Sequence, residues 1–459
     1  MQLHHALRLP TFPAKPVIAL TGAGGKSSLL FRLGEELRAS GVRTLLTSTT
    51  HLAALQADQA PFALFSHNEA LLHFELPTSL EGYGAVLLMA GLAETPDKLR
   101  GLDPALLCRL ARLPEVGAVL IEADGSRGRP LKAPAAHEPV VPACVTHTIT
   151  VAGMAVLGQR LTVDAVHRPD LLTQLTGVQP GAPITPEAVA AALLHPDGGL
   201  RGCPPAAVCV LYLNLAGDAT RLPAAQHIAD LVLAQPERTY DAVLIGSAQG
   251  AQPVDVVCER VAAVVLAAGR GSRMAATDLP KPLLPWQPEG TLVGRAVACA
   301  LAAQTVQEVV VVTGYRAAEV QAALADRRVR CVFNSQWASG QGSSVAAGVG
   351  ALSPHTRAAL FLLADQPTVQ PATLDALVLT QRGALAPVVA PLYADGQRGN
   401  PVLFDHTTFA ELGALTGDTG GRAVLERYGA AVQQVAVAGH APAGIETMAD
   451  YQRAANGDR

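Results

Sequence analysis

Residues 261–274 read Val-Ala-Ala-Val-Val-Leu-Ala-Ala-Gly-Arg-Gly-Ser-Arg-Met. An apolar run this short, ending in small residues and a Gly-x-Gly, reads as a strand buried on both faces. Small residues after such a strand let backbone N–H groups approach an anion, and a following helix N-terminus adds a positive dipole. The same pattern occurs earlier. Residues 17–28 read Val-Ile-Ala-Leu-Thr-Gly-Ala-Gly-Gly-Lys-Ser-Ser, and Leu29, Leu30, Leu33 and Leu37 follow at helical spacing. A nucleotide-type unit therefore begins twice. The two loops share no motif, so the chain reads as a fusion and not as a repeat.

Working outward, further apolar runs at 44–46, 116–121, 208–213, 243–245, 309–312, 359–363 and 388–390 alternate with Ala/Leu-rich helical stretches. That alternation predicts α/β folds with parallel sheets. Residues 246–255, GSAQGAQPVD, are small, polar and broken by Gly and Pro, and read as a linker. The expected organisation is a first domain over 1–248, a linker over 249–258 and a second domain over 259–459. Each is expected to be a three-layer α/β/α nucleotide-binding domain.

Composition excludes other classes. Hydrophobic residues make up 49% of the 459 and charged residues 16%, which rules out a disordered chain. A net charge of −4 argues against a nucleic-acid-binding surface. No apolar stretch reaches the roughly 18 residues of a membrane span. The N-terminus lacks a basic region followed by an apolar core, so a cytoplasmic protein is expected. Seven cysteines show neither C-x-x-C nor zinc spacing. They are expected to be reduced, buried small hydrophobes. Lysine is scarce, five against 29 arginines, so each lysine inside a motif invites a specific role.

In the second half, Arg273 keeps its charge and grips phosphate oxygens in a fork. Lys281 sits in Pro-Lys-Pro-Leu-Leu-Pro, where the prolines stiffen the chain around it. Asp365 ends an apolar strand, where open α/β sheets bind ligands. A carboxylate there suits Mg²⁺, which keeps waters and bridges phosphates.

The stretch LAAGRGSRM…PKPLLP resembles nucleotidyltransferases. Residues 334–344 (NSQWASGQGSS), 363–367 (LADQP), 396–401 (GQRGNP) and 415–422 (LTGDTGGR) narrow the resemblance to molybdenum cofactor cytidylyltransferases. It covers the chain from about 260 onward. It implies a Rossmann-like, GT-A-type domain that moves CMP from CTP to molybdopterin or the molybdenum cofactor. It implies Arg273, Lys281 and Asp365 as catalytic, and Leu266, Ala267, Ala268, Gly269, Gly271 and Ser272 around the nucleotide. Trp337, Ser343, Ser344, Arg398, Asn400 and Asp418 are the expected substrate contacts. Ala267-Ala268 favours CTP over GTP by resemblance. Such proteins carry a second acid near the C-terminus. Glu446, in Gly-Ile-Glu-Thr, is the candidate metal partner of Asp365, with Asp418 as rival. The spacing from Arg273 to Lys281 is longer than usual and resembles sugar-nucleotide pyrophosphorylases. That keeps a sugar- or alcohol-phosphate nucleotidyltransferase as an alternative. A non-catalytic cofactor chaperone is another.

In the first half, strand, glycine loop, Gly-Lys-Ser and helix are the parts of a phosphate cradle. Gly22, Gly24 and Gly25 would wrap phosphates, Lys26 would reach the outer ones, and Ser27 would meet Mg²⁺. The usual first glycine is Leu20 here, so the loop is a P-loop variant. Glu122 or Asp124, ending the run 116–121, would hold the metal or orient water. Thr47–Thr50 offer hydroxyls to a phosphate. Asn214-Leu215-Ala216-Gly217-Asp218 lacks the lysine of a base-reading Asn-Lys-x-Asp, leaving ATP and GTP both open. Residues 122–142, EADGSRGRPLKAPAAHEPVVP, with GAGGKSS and His167-Arg168-Pro169, resemble selenium-dependent molybdenum hydroxylase accessory proteins over about 12–248. That resemblance implies a nucleotide-dependent accessory step and places Lys132 in the motif. It implies a molybdenum hydroxylase apoenzyme as partner; the charge balance and the lack of an apolar span make neither nucleic acid nor membrane expected.

Overall fold

The computed structural model describes residues 1–9, 14–95, 97–235, 240–271, 274 and 278–456. The chain divides into two compact units, Met1–Cys258 and Glu259–Arg459. Both are α/β.

The first unit is built on a nine-stranded sheet. Named by first residue, the strands lie in the order Val256, Ala242, Val208, His147, Val17, Ala118, Thr44, Ala85, Ala63. Every pairing from Ala242–Gly246 across to Ala63–Phe65 is parallel. The strand Val17–Gly22 shows why a continuous apolar run suits this position. Ile18 and Leu20 face one core, with Leu29, Leu30 and Leu33 of the helix Lys26–Ala39. Val17 and Ala19 face the other, with Leu72, Leu76 and Leu80 of the helix Glu69–Tyr83. Strand residues alternate faces, so both faces of the sheet are covered and three layers result. Each buried leucine contributes about 1.5–3 kcal/mol.

The second unit has seven strands in the order Arg330, Glu308, Val261, Ala358, Val402, Val388, Val432. Val402–Asp405 runs antiparallel to both neighbours, and the other pairings are parallel. Val261, Ala263 and Val265 pack with residues of the helices Leu292–Ala302 and Pro371–Ala384. Val264 packs on the other face with Val345 of the helix Gln341–Gly350. From the strand Val261–Ala267 the chain goes first to Glu308–Thr313 on one side. It later returns to Ala358–Leu363 on the other. The crevice between these crossovers is a topological switch point, where such sheets bind ligands.

Two expectations are corrected. Residues 249–258 do not leave the first unit as a linker. Val254 and Val257 are buried, the Tyr212 hydroxyl donates to Pro253 O at 2.6 Å, and Val256–Glu259 adds an edge strand. The Gly and Pro of this stretch mark a tight return to the sheet. The cysteines are not all buried and isolated. Cys108 and Cys144, both half-buried, stand together, as do Cys203 and Cys209, their Cα atoms 5.5 and 6.3 Å apart. The first pair is brought together by the fold across 36 residues, which no local spacing reveals. Among the described residues, no helix is long and apolar enough to cross a membrane.

Candidate functional site

In the second unit a cleft opens at the carboxyl ends of Val261–Ala267 and Ala358–Leu363. Leu266, Ala267, Ala268, Gly269 and Gly271 form one wall, and Lys281, Asp365, Trp337, Ser344, Asp418 and Glu446 line the rest. Gly271 sits at φ +64°, and a Cβ there would meet Lys281 Cβ at 2.9 Å. The loop therefore needs glycine both for its backbone and to let Lys281 pass. Lys281 opens a short 3₁₀ turn after Pro280 and its Nζ pairs with Asp365 Oδ2. The other oxygen, Oδ1, is buried with no hydrogen-bond partner. An unmet buried carboxylate oxygen is a poor end state for a protein and a good start for a cation. Asp365 O accepts from Ile445 N at 3.0 Å, which brings Glu446 to the same rim. Among the described residues, no group of three His, Cys, Asp or Glu forms a metal cage. A pair of acids instead fits Mg²⁺ that keeps most of its waters.

The opposite rim is the start of the helix Gln341–Gly350. Its N-cap is Gly340, without a side-chain cap and without an acid in the first turn. Asn334, buried, donates through Nδ2 to Ser343 Oγ at 2.9 Å and Ser344 Oγ at 3.1 Å. Ser343 Oγ in turn donates to Gln336 O and Gly340 O, both at 2.9 Å. Ser343 is thus committed to the loop, while Ser344 lines the cleft. Trp337 leans on Tyr315, their ring centroids 5.5 Å apart, and Arg270 lies over Tyr315 at 5.6 Å. Gly342 N donates to Gly417 O at 2.8 Å, which holds the Asp418 loop against this helix.

Not every expected residue gathers here. Arg398 and Asn400 do not line the cleft; Asn400 O accepts from the Tyr393 hydroxyl at 2.6 Å. Ser272 and Arg273 lie outside the described residues. Asn334 and Tyr315 were not picked out from the sequence, although Asn334 heads the 334–344 motif.

In the first unit the glycine loop is closely packed. Gly22, Gly24 and Gly25 have φ of +85°, +85° and +132°. A Cβ at Gly25 would lie 2.3 Å from Asn214 Nδ2. The helix Lys26–Ala39 again has a glycine N-cap and no acid in its first turn, leaving its dipole unmet. Lys26 Nζ donates to Gly22 O at 2.7 Å and lies 3.3 Å from Asp124 Oδ1. Lys132 Nζ approaches Asp124 Oδ2 at 2.9 Å and Glu138 Oε2 at 3.1 Å. Arg168 Nη1 meets Glu138 at 2.6 Å. Ser27 Oγ donates to Glu122 Oε2 at 2.7 Å. The sequence placed Gly22–Ser27, Glu122, Asp124 and Lys132 in one site, and the fold brings them together. Glu138 and Arg168 belong with them.

Burial raises the Glu122 carboxyl above its ordinary range, against the pull of Lys26 and Ser27. Burial also acts to raise Glu138, but the Arg168 hydrogen bond and Lys132 outweigh it and hold the group at about 2. Burial, then Arg168 and Lys132, push His167 down to about 4. Thr47 and Ser48 do not face a ligand: their hydroxyls donate to Leu88 O and Glu122 O at 2.7 and 2.9 Å.

Two α/β units, each with a glycine loop after a central strand, define a class: a fusion whose second half carries a nucleotidyltransferase-type cleft. The YqeC protein family matches residues 18–170, and the MobA-like NTP transferase domain matches 263–433. The chain is 34% identical to the uncharacterized protein YqeC of Escherichia coli (strain K12), over 51% of this chain and 88% of that one. It is also 34% identical to nicotine blue oxidoreductase of Paenarthrobacter nicotinovorans, over 38% of this chain and 84% of that one. Among solved structures, Rv0371c of Mycobacterium tuberculosis H37Rv is 30% identical, covering 43% of this chain and 98% of that one with a TM-score of 0.38. The chain belongs to the YqeC family through its first unit and to the MobA-like NTP transferases through its second.

Proposed function

We propose that the second unit transfers CMP from CTP to the phosphate of molybdopterin or its molybdenum form. A phosphate oxygen of the acceptor attacks the α-phosphorus, the bond to the bridging oxygen breaks, and pyrophosphate leaves with that electron pair. The observation that carries this reading is the Lys281–Asp365 pair beside the Leu266–Gly271 loop. Several negative charges converge in such a step, so positioning and charge stabilisation dominate. Lys281 is placed to meet the phosphates, and the motif assigns Arg273 the same task. Asp365 and Glu446 would hold Mg²⁺, which would neutralise phosphate charge. Trp337 offers a flat face to a fused ring, and the helix start at Gln341 offers amides to the acceptor phosphate.

The first unit, in this reading, binds or hydrolyses a nucleotide on Gly22–Ser27 in an accessory step for molybdenum hydroxylases. Asp124 and Glu122 orient that chemistry, and Lys132 supplies a second cation. An apoenzyme of that class is its expected partner, and the cytoplasm its expected place.

Pyrophosphate release, measured with each NTP and molybdopterin, tests the transferase. CTP-dependent turnover is expected. Tight binding of finished cofactor without turnover would leave only a chaperone, and turnover with a sugar phosphate would move the acceptor class. One relative bears an oxidoreductase's name, so NAD(P)H oxidation belongs in the same assay. Nicotinamide turnover without pyrophosphate release would overturn the assignment.

A further inference from the structure

The stretch 396–401, GQRGNP, does not line the cleft, yet it packs against the segment that brings Glu446 there. That segment, residues 439–446, is a strap without helix or strand. Its start is held from the surface. Ala394 N donates to Gly439 O at 3.0 Å, and Asp395 Oδ2 accepts from Ala441 N at 3.1 Å. Gly399 lies so close that a Cβ there would meet Pro442 Cδ at 3.4 Å and Ala441 Cβ at 3.5 Å. The turn that does this holding is itself closed. Asp395 Oδ1 accepts from Gln397 N at 3.0 Å, Gln397 O from Tyr393 N at 3.0 Å, and Asn400 O from the Tyr393 hydroxyl at 2.6 Å.

The far end of the strap is held from inside. Gln366, buried, donates through Nε2 to Pro442 O at 3.1 Å. Ile445 N donates to Asp365 O at 3.0 Å, and the Ile445 side chain is buried with Leu284 and Leu292. Between these two bonds the strap passes the carboxylate, where a Cβ on Gly444 would lie 3.9 Å from Asp365 Oδ2. Asp365 and Gln366 are neighbours in the chain with different tasks. Asp365 turns an unmet oxygen toward the cation site, and Gln366 grips the strap that ends in the other acid.

We propose that Gln366 and the 395–400 turn are positioning residues for the metal: they fix the strap that carries Glu446 and so set the affinity of the second unit for Mg²⁺. The proposal rests on reading that unit as a Mg²⁺-dependent transferase. A cation that keeps most of its waters gains little from each protein carboxylate, so the placing of the second acid matters. Were the strap loose, each binding event would carry the entropy of ordering it. Neither Gln366 nor Asp395 lines the cleft, so the contacts to CTP do not depend on them directly.

Two variants test this from opposite ends. Gln366→Met keeps the volume, removes the bond to Pro442 O, and also removes Oε1, which is buried without a hydrogen-bond partner. Asp395→Ala frees Ala441 N at an exposed position, where folding is little affected. Mn²⁺ binding to the full chain is followed by the electron paramagnetic resonance signal of the free ion. Asp365→Ala marks which binding belongs to the second unit. Each variant should weaken the Asp365-dependent Mn²⁺ binding about tenfold, as loss of supporting contacts around a metal does. Pyrophosphate release from CTP and molybdopterin should show KM for Mg²⁺ rising alike. At saturating Mg²⁺, KM for CTP and kcat should stay within about threefold of the parent, a split that general loosening of the fold would not give. Unchanged Mn²⁺ affinity in either variant, or a KM for CTP that climbs with that for Mg²⁺, overturns the positioning role and leaves the transferase standing. Absence of Asp365-dependent Mn²⁺ binding in the parent removes the metal reading with it.

Discussion

Lys281 spends its charge on one oxygen of Asp365 and leaves the other oxygen without a hydrogen-bond partner. Such a pair is poised to exchange partners when phosphates and a cation arrive. Lys281→Ala should lower cytidylyl transfer by two or more orders of magnitude, the usual effect of removing a charge-stabilising group, with circular dichroism unchanged. Near-normal turnover would refute its role. In the first unit the charges give a pH prediction. His167 is pushed down to about 4 from an ordinary 6.5, so the unfolded chain takes up the proton first. Its contribution to stability is complete above about 6.5 and is lost as pH falls toward 4. Glu138 is held at about 2 against an ordinary 4.5, and its contribution is lost over that lower window. Glu122, raised by burial, acts oppositely, adding stability as pH falls toward 4.5. Denaturant midpoints from pH 7 to 4 should therefore fall less steeply in His167→Gln than in the parent. Parallel curves would refute the shift.

The helix Gln341–Gly350 enters the cleft uncapped, and Asn334 fixes where it begins. Both serine hydroxyls depend on that one amide. Asn334→Ala should raise KM for the phosphate-bearing acceptor several-fold more than it lowers kcat, since Asn334 positions a binding element and touches no reacting atom. Leaving the buried Oγ atoms short of a donor should also cost about 1–3 kcal/mol in stability. A fall confined to kcat would contradict the positioning role. Elements like this one explain what the sequence did and did not disclose. The strands at 17–22 and 261–267 were legible because both faces are buried and the residues say so. His147–Gly153, HTITVAG, lies beside Val17–Gly22 yet was not legible. Its polar residues look like a loop until their partners are known: Thr150 Oγ1 accepts from Thr21 Oγ1 at 3.2 Å and donates to Gly199 O at 2.9 Å. The Asp124–Lys132 contact was foreshadowed by one motif. The Asn214–Gly24 contact, between residues 190 apart, had no signal in spacing.

Each unit has its own buried clusters: Ile18, Leu20 and Leu29 pack in the first, Val261, Ala263 and Val293 in the second. Each also has its own glycine loop and its own acid at a neighbouring strand end. Fusion of two such units needs no shared core, and the sequence already showed it by restarting the strand–loop–helix pattern at Val261. The consequence is thermodynamic. A ligand stabilises only the cooperative unit that holds it, by RT ln(1 + [L]/Kd), or about 2.7 kcal/mol at a hundredfold excess over Kd. In units of this size that moves a melting temperature by roughly 5–10 °C. Calorimetry of the full chain should show two transitions. CTP with Mg²⁺ should raise the second unit's, and Lys281→Ala should abolish that response. ATP or GTP with Mg²⁺ should raise the first unit's, and Lys26→Ala should abolish that one. A single transition moved by either nucleotide would mean the two sites are energetically coupled, so that the accessory step and the transfer step report on each other.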